Sequence, residues 1–324
     1  MKNQAEYFSN VYTSLKKEVG KVVAGNPALV EDVLVAFFCG GHVLLEGLPG
    51  LGKTLLVKTI SRVLGLQFSR IQFTPDLMPA DIVGTTVVSQ STDGQRAFRF
   101  QKGPLFANLV LADEINRATA KTQSALLEAM AERQVTVGGT TYPLDEPFFV
   151  LGTQNPIEMD GTYPLPEAQL DRFMFKILVD FPDKDCLMAI VDRNITNTHI
   201  EVQSKTSAQM IGNIRELIRD VPIADPIKDY AAKLILATQP SSKFAIPITK
   251  KYLSYGASPR GILAIVHSAK ARALLQGRLH VALEDVQKVA LPALRHRLIL
   301  NFEGEAEGIT TDYVVEKLLE YERF

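Results

Sequence analysis

Apolar positions recur at two spacings along this chain, and the alternation between them predicts its architecture. Over residues 1–20, Tyr7, Phe8, Val11 and Leu15 recur at intervals of three and four, the period of a helix with one apolar face. The stretch PALVEDVLVAFF, residues 27–38, opens with Pro27, which suits the first position of a helix. GGHVLLEG reads as a short buried strand between glycines. GKTLLVKTISRVLG then reads as a helix, with Leu56, Ile60 and Val63 or Leu64 inward and Gly65 near its end. Further strands are predicted at FSRIQF, LVLAD, FFVLGTQNP and FMFKILVDF, and a helix at ATAKTQSALLEAMAER. Strongly apolar strands separated by helices predict an α/β fold whose mostly parallel sheet is covered on both faces.

Two segments break this rhythm. Residues 73–104 hold a Pro-flanked short helix and two strand-like pieces around a Ser/Thr/Asp/Gly turn. Residues 134–149 read as a hairpin around Gly138 and Gly139. After VDFPDKD the pattern changes again. Residues 184–323 are mostly helical stretches with polar breaks, among them AQMIGNIRELIRDV, DYAAKLILAT, GILAIVHSAKARALLQG and LEDVQKVALPALRHRLIL. A domain boundary is therefore expected near 182–184, where Pro182 sits among charged residues, dividing the chain into 1–183 and 184–324.

Composition narrows the function classes. The 324 residues are 46% hydrophobic, enough for a large core and more than one domain. A net charge of −1 gives no global reason to bind nucleic acid. Cys39 and Cys186 lie far apart with no CxxC, so both read as small buried apolar residues in a reducing compartment. The N-terminal residues are too polar for a signal peptide. No window approaches the roughly 18 apolar residues of a membrane span, and a cytoplasmic protein with no integral membrane segment is expected. His42, His199, His267, His280 and His296 show no i,i+4 pair, which disfavours a catalytic zinc. His42 reads as a packed or hydrogen-bonded residue, and His267 as a satisfied internal polar group.

The chemistry sits at the strand ends. GLPGLGKT, residues 47–54, matches G-x-x-x-x-G-K-[ST] between a predicted strand and a predicted helix. Its glycines let backbone N–H groups curl around phosphate oxygens at a helix start. Lys53 can reach β- and γ-phosphates, and the Thr54 hydroxyl can hold Mg²⁺. Asp113 follows the strand LVLA and suits a second Mg²⁺ ligand, while Glu114 can polarise water, mostly by electrostatic positioning. The bland alternative is an acidic helix start, favoured by the helix dipole. Asn155, in GTQNP, ends the next strand and can hold the attacking water, although a turn asparagine before proline is common.

Together these motifs resemble the AAA+ ATPases, and within them the MoxR family, over nearly the whole chain. The resemblance is carried by GNPALVED, GHVLLEGLPGLGKT, RIQFTPDLMPADIVG, GPLFANLVLADEINRA, KTQSALLEAMAERQVTV, TQNPIEMDGTYPLPEAQLDRFMFK and GASPRG. It implies a P-loop core with a mostly parallel five-stranded sheet, followed by an all-helical lid. It assigns Gly47, Gly50, Gly52, Lys53 and Thr54 to the Walker A loop, with Pro49, Leu51 and Leu55 from the same stretch. Asp113 and Glu114 fall in Walker B, and Asn155 in the first sensor. Arg172, in QLDRF, takes the place of an arginine finger that acts on a neighbouring subunit's nucleotide, with Arg117 and Arg133 as alternatives. Arg260 takes that of the second sensor, on the lid. Val22, Val23 and Gly25, continued by Asn26, fall where such proteins close over adenine. Residues 73–101 match an insertion, and 134–147 a hairpin before the first sensor; both are expected to project and to engage a client.

The resemblance further implies Mg²⁺-dependent ATP hydrolysis in a homo-oligomeric ring, a hexamer. That hydrolysis would drive chaperone-like remodelling or maturation of partners, including proteins with a von Willebrand factor A domain. A nucleic-acid-associated motor or clamp loader is the alternative; the hairpin QVTVGGTTYPLDEP, with no lysine or arginine, speaks against it. A scaffold that binds ATP but scarcely hydrolyses it is a third reading, opposed by the presence of Asp113, Glu114 and Arg172.

Overall fold

The structure, a computed structural model, describes residues 2–23, 25–90, 96–156, 162–195, 201–204 and 206–321. Two helices, α1 (Lys2–Val22) and α2 (Pro27–Phe38), precede the first strand, β1 (Val43–Glu46). Then come α3 (Lys53–Leu64), β2 (Phe68–Gln72), α4 (Pro79–Val83) and the antiparallel pair β3 (Gly84–Gln90) and β4 (Arg96–Lys102). Strand β5 (Leu109–Asp113) leads to α5 (Ala120–Glu132), a hairpin of β6 (Gln134–Val137) and β7 (Thr140–Pro143), and β8 (Phe149–Gln154). The short α6 (Glu167–Leu170) and β9 (Phe175–Leu178) complete this part.

The remainder is helical: α7 (Lys184–Ile195), α8 (Ala208–Asp220), α9 (Asp225–Thr238) and α10 (Pro247–Tyr252), then α11 (Pro259–Leu275), α12 (Leu283–Leu294), α13 (Phe302–Ala306) and α14 (Thr311–Leu319). One ribbon interrupts it, formed by β10 (Leu253–Tyr255) and β11 (Ile299–Leu300). The apolar pattern LEDVQKVALPALRHRLIL therefore divides. Its helix stops at Leu294, and residues 299–300 pair as a strand instead.

Five strands form one wholly parallel sheet in the order β2-β5-β8-β1-β9. Alternation along each strand divides the core in two. Val43, Leu45, Leu109, Leu111 and Leu151 face one side, packed with α1, α2, α3 and the helices of the C-terminal part. Leu44, Val110, Ala112 and Val150 face the other, packed with Leu126, Leu127 and Met130 of α5. Both faces are buried, which is why the strands read as continuous apolar runs. On α1 the buried stripe is Ala5, Phe8, Tyr12, Leu15 and Val19. Tyr7, expected on that face, is 52% exposed, because it lies one position off the stripe.

The two interrupting segments form antiparallel ribbons, and they touch. Phe100 of β4 stacks on Tyr142 of β7 with ring centroids 4.1 Å apart, and meets Phe106 edge-on. The predicted turn at 91–94 lies outside the described residues. Val88 and Phe98, cross-strand partners, are both exposed, Phe98 by 81%. Among the described residues, no helix is long and apolar enough to cross a membrane.

His42 is fully buried and hydrogen-bonded on both ring nitrogens. Val150 N donates to Nδ1 at 3.0 Å, so Nε2 carries the proton and donates to Met130 O at 3.2 Å. Burial, with Arg133 nearby, pulls its pKa down to about 3. His267, expected inside, lies at the surface of α11. The cysteines are free but only half-buried, contrary to the expectation for both. The Cys39 thiol donates to His267 O.

Candidate active site

In a parallel sheet all strands end on one edge, so motifs far apart in sequence meet there. The loop after β1 is GLPGLGKT, β5 ends at Asp113, and Asn155 follows β8. Gly47 N donates to Gln154 O at 3.2 Å, which ties the loop to the neighbouring strand. A Cβ on Gly47 would sit 2.7 Å from Val179 O, so only glycine lets the loop pass this closely to the residue that follows β9. Gly52 holds φ 76 at the start of α3, a left-handed conformation that glycine adopts without steric cost.

A cavity of about 900 Å³ opens beside this loop. Gly50, Leu51, Gly52, Lys53 and Leu55 line it from below, and Val22, Val23, Gly25 and Asn26 from the α1–α2 junction. All nine were expected at a nucleotide. Gly47, Pro49 and Thr54 belong to the same loop and helix start but do not line the cavity, and neither does Arg260. Asn26 has a structural task as well: at φ 47 its Oδ1 accepts from Leu29 N and caps α2. The segment Asp180–Asp183, with Cys186, Leu187 and Ile190 of α7, closes the cavity. None of these was foreseen, because their place beside the loop follows from β9 pairing with β1.

Lys53 Nζ donates to Gly47 O at 2.6 Å. Burial lowers its pKa, while the charges of Asp113, Glu114 and Glu46 oppose that shift. Asp113 is engaged on both oxygens. Oδ1 accepts from Thr153 Oγ1 at 2.6 Å, and Oδ2 from Arg70 Nε at 3.1 Å and Nη2 at 2.7 Å. Glu114 has φ 56; its N donates to Thr153 Oγ1, and its Oε2 accepts from Gln72 Nε2 at 2.9 Å and Arg117 Nη1 at 3.0 Å. The acidic pair does not open α5, although Glu114 is the N-cap of a short 3₁₀ turn. That turn spans Ile115–Arg117, and α5 begins only at Ala120. The Asp113 carboxylate and the Thr54 hydroxyl are hard oxygen donors of the kind Mg²⁺ takes, so this edge of the sheet fits that ion. Asn155 is buried directly after β8.

The arginines divide by surroundings. Arg133, an alternative finger, has a packing role: Nη1 donates to Phe148 O at 2.6 Å and Nη2 to Gly40 O at 2.5 Å, with Glu146 alongside. Arg117 is at Glu114. Arg172 is half-buried, away from the cavity, and its Nη1 donates to Leu127 O of α5 at 2.6 Å. Arg260, second residue of α11, is 3.7 Å from Asp171 Oδ2.

Comparisons with known proteins agree with this arrangement. The family described as ATPase family associated with various cellular activities (AAA) matches residues 42–175, and AAA lid domain matches 247–318. Chaperone MoxR1 of Mycobacterium tuberculosis is 43% identical over 94% of this chain and 79% of its own length. Protein MoxR of Methylorubrum extorquens is 30% identical over 92% of this chain and 91% of its own. A crystal structure of a protein from Cytophaga hutchinsonii matches with TM-score 0.91 and 45% identity, covering 98% of this chain and 96% of that one. A parallel five-stranded P-loop core, a helical lid and relatives of this closeness place the chain in the MoxR family of AAA+ ATPases.

Proposed function

We propose that this protein hydrolyses ATP with Mg²⁺, in a ring with copies of itself, to remodel or mature partner proteins. The observation that carries this reading is that the Lys53 loop after β1, the Asp113–Glu114 pair at the end of β5 and Asn155 after β8 meet on one edge of the parallel sheet, where the loop lines a cavity of about 900 Å³. Lys53, joined by Arg260 when the lid closes, would offset phosphate charge. Thr54 and Asp113 would hold Mg²⁺, which when bound neutralises charge on the phosphate oxygens. Glu114 and Asn155 would orient the attacking water. Arg172 lies outside its own subunit's cavity, which supports action on a neighbour's nucleotide. Asp113 and Glu114 are here engaged by Arg70, Gln72 and Arg117, so both carboxylates must exchange partners before turnover.

The remodelling half of the reading rests on kinship with Chaperone MoxR1 and on the exposed Val88–Phe98 pair, an apolar surface on an antiparallel ribbon. A hexamer, and partners with a von Willebrand factor A domain, follow from family resemblance. We place the division between core and lid at 182–184, where strands give way to helices. The protein is read as cytoplasmic, where its free cysteines stay reduced.

Nucleotide titration and phosphate release test the proposal. Lys53→Ala should abolish tight nucleotide binding. Glu114→Gln should bind ATP normally and fail to release phosphate; undiminished release would remove Glu114 from its role. Affinity capture on the Glu114→Gln variant with ATP should retain protein partners. Strong DNA retention without any would favour the motor.

A further inference from the structure

Three lid residues converge on one carboxylate, and that carboxylate is next in sequence to Arg172. Asp171 caps the C-terminal end of α6. Ser258 Oγ donates to its Oδ2 at 2.8 Å, and Arg260 Nη1 lies 3.7 Å from the same oxygen. Arg297 Nε donates to Oδ1 at 2.7 Å. Arg297 is 7% exposed as a residue and also donates to the carbonyls of Asp171, Phe173, Met174 and Ala293.

These contacts differ in strength. A buried guanidinium cannot easily give up its carboxylate, because an unpaired buried charge is costly. Asp171–Arg297 is therefore the fixed part of the junction. Arg260 is the loose part: its side chain is 56% exposed, and 3.7 Å is too long for a hydrogen bond. A phosphate carries more charge than one carboxylate and competes for Arg260 on favourable terms. Ser258 caps α11 and Arg260 is its second residue, so both follow that helix.

We propose that Asp171 is a positioning residue that converts the position of the lid into the placement of Arg172. When Arg260 turns to a phosphate, Asp171 keeps Ser258 and Arg297. Movement of α11 and of the segment after α12 then carries residues 171–174 along. Arg172 moves with them, so the nucleotide held in one subunit sets the finger presented to the next. This inference rests on the reading of Arg172 as acting in trans.

The test is a double-mutant cycle in the assembled protein. Asp171→Asn keeps the size and an acceptor for Arg297, and removes the charge. Single-turnover ATP hydrolysis should fall about tenfold, within the range of coupling between residues that share a network. KM and nucleotide affinity should stay within about threefold. In the Arg172→Ala background the same substitution should cost nothing further in the residual rate, because its effect passes through Arg172. Losses that multiply would overturn the coupling. A thermal unfolding scan identifies a variant that has lost its fold. In that case Ser258→Ala, which leaves the buried pair intact, decides: about a threefold loss, again absent beside Arg172→Ala, supports the proposal, and a multiplying loss overturns it. Full activity of Arg172→Ala alone would remove the trans reading and this inference with it. A slowed Arg172→Ala whose residual rate shows multiplying losses removes only the coupling.

Discussion

Replacing Gln72 with alanine should raise the intrinsic rate of ATP hydrolysis. Glu114 Oε2 accepts two hydrogen bonds, from Gln72 at 2.9 Å and Arg117 at 3.0 Å, and both occupy the carboxylate oxygen that the proposed role needs for the attacking water. The Gln72 bond joins a neutral donor to a charged acceptor. Its partners sit at the rim of the site, with Gln72 exposed and the Glu114 side chain 22% exposed, so water replaces part of what is lost. A net worth of about 1 kcal/mol is reasonable for such a bond, equivalent to about a fivefold change in how often Glu114 is free. Arg117 stays in place, so the gain should not exceed that factor. The assay is single-turnover hydrolysis at saturating ATP and Mg²⁺, at protein concentrations where assembly is complete, since product release can hide the chemical step in kcat. The expected result is a rate up to about fivefold higher, with nucleotide affinity within a factor of about two. An unchanged or slower rate, in a variant with the parent's unfolding midpoint and nucleotide affinity, would refute the idea that this contact restrains Glu114.

Other positions can be tested as sharply. Gly47→Ala places a methyl 2.7 Å from the Val179 carbonyl, an overpacking of about 1–3 kcal/mol against backbone that cannot swing away. Nucleotide affinity should fall about tenfold in a fluorescent-nucleotide titration, and unchanged affinity would count against the loop geometry. Arg133→Ala removes a guanidinium bonded to two carbonyls and should cost roughly 2–4 kcal/mol in urea unfolding. The hydrolysis rate per folded subunit should hold, in contrast to a finger. Phe100→Ala unstacks the two ribbons and should speed amide exchange in β3 and β4, since an aromatic pair contributes about 0.5–1.5 kcal/mol. For His42 the folded pKa of about 3 lies below the ordinary value, so the unfolded chain binds a proton that the native one refuses. Its contribution is complete above about pH 6.5 and is lost on acidification toward pH 3, by up to about 1.4 kcal/mol per unit. His296, also depressed by burial, adds to that loss, while Asp32, raised to about 6 by burial, opposes it. Comparing urea unfolding at pH 7 and pH 5 for the parent and His42→Gln isolates the term: the variant should show the shallower dependence, and equal slopes would dismiss it.

What could be read along the chain, and what could not, follows from the range of the forces involved. The phosphate loop was legible because its requirements are local: glycines for a tight backbone, then a lysine and a hydroxyl at a helix start. The five strands were legible because burial on both faces leaves unbroken apolar runs. Neither kind of signal reports which strands are neighbours. Arg70 and Gln72 read as polar positions in the strand FSRIQF, and only the pairing of Gln72 opposite Asp113 sets them against the acidic pair. Arg133 reads as an alternative finger by its place at the end of the predicted helix, before the hairpin. With φ 55, it instead donates to the carbonyls of Phe148 and Gly40, which precede the parallel neighbours β8 and β1. Asp171 carried no signal beside the more conspicuous Arg172, since its partners Ser258, Arg260 and Arg297 lie 87 to 126 residues away. The motifs thus locate the candidate reacting groups, while the side chains that touch them come from register and domain packing. The proposed restraint of Glu114 by Gln72 and the proposed placement of Arg172 by Asp171 both rest on such contacts between elements.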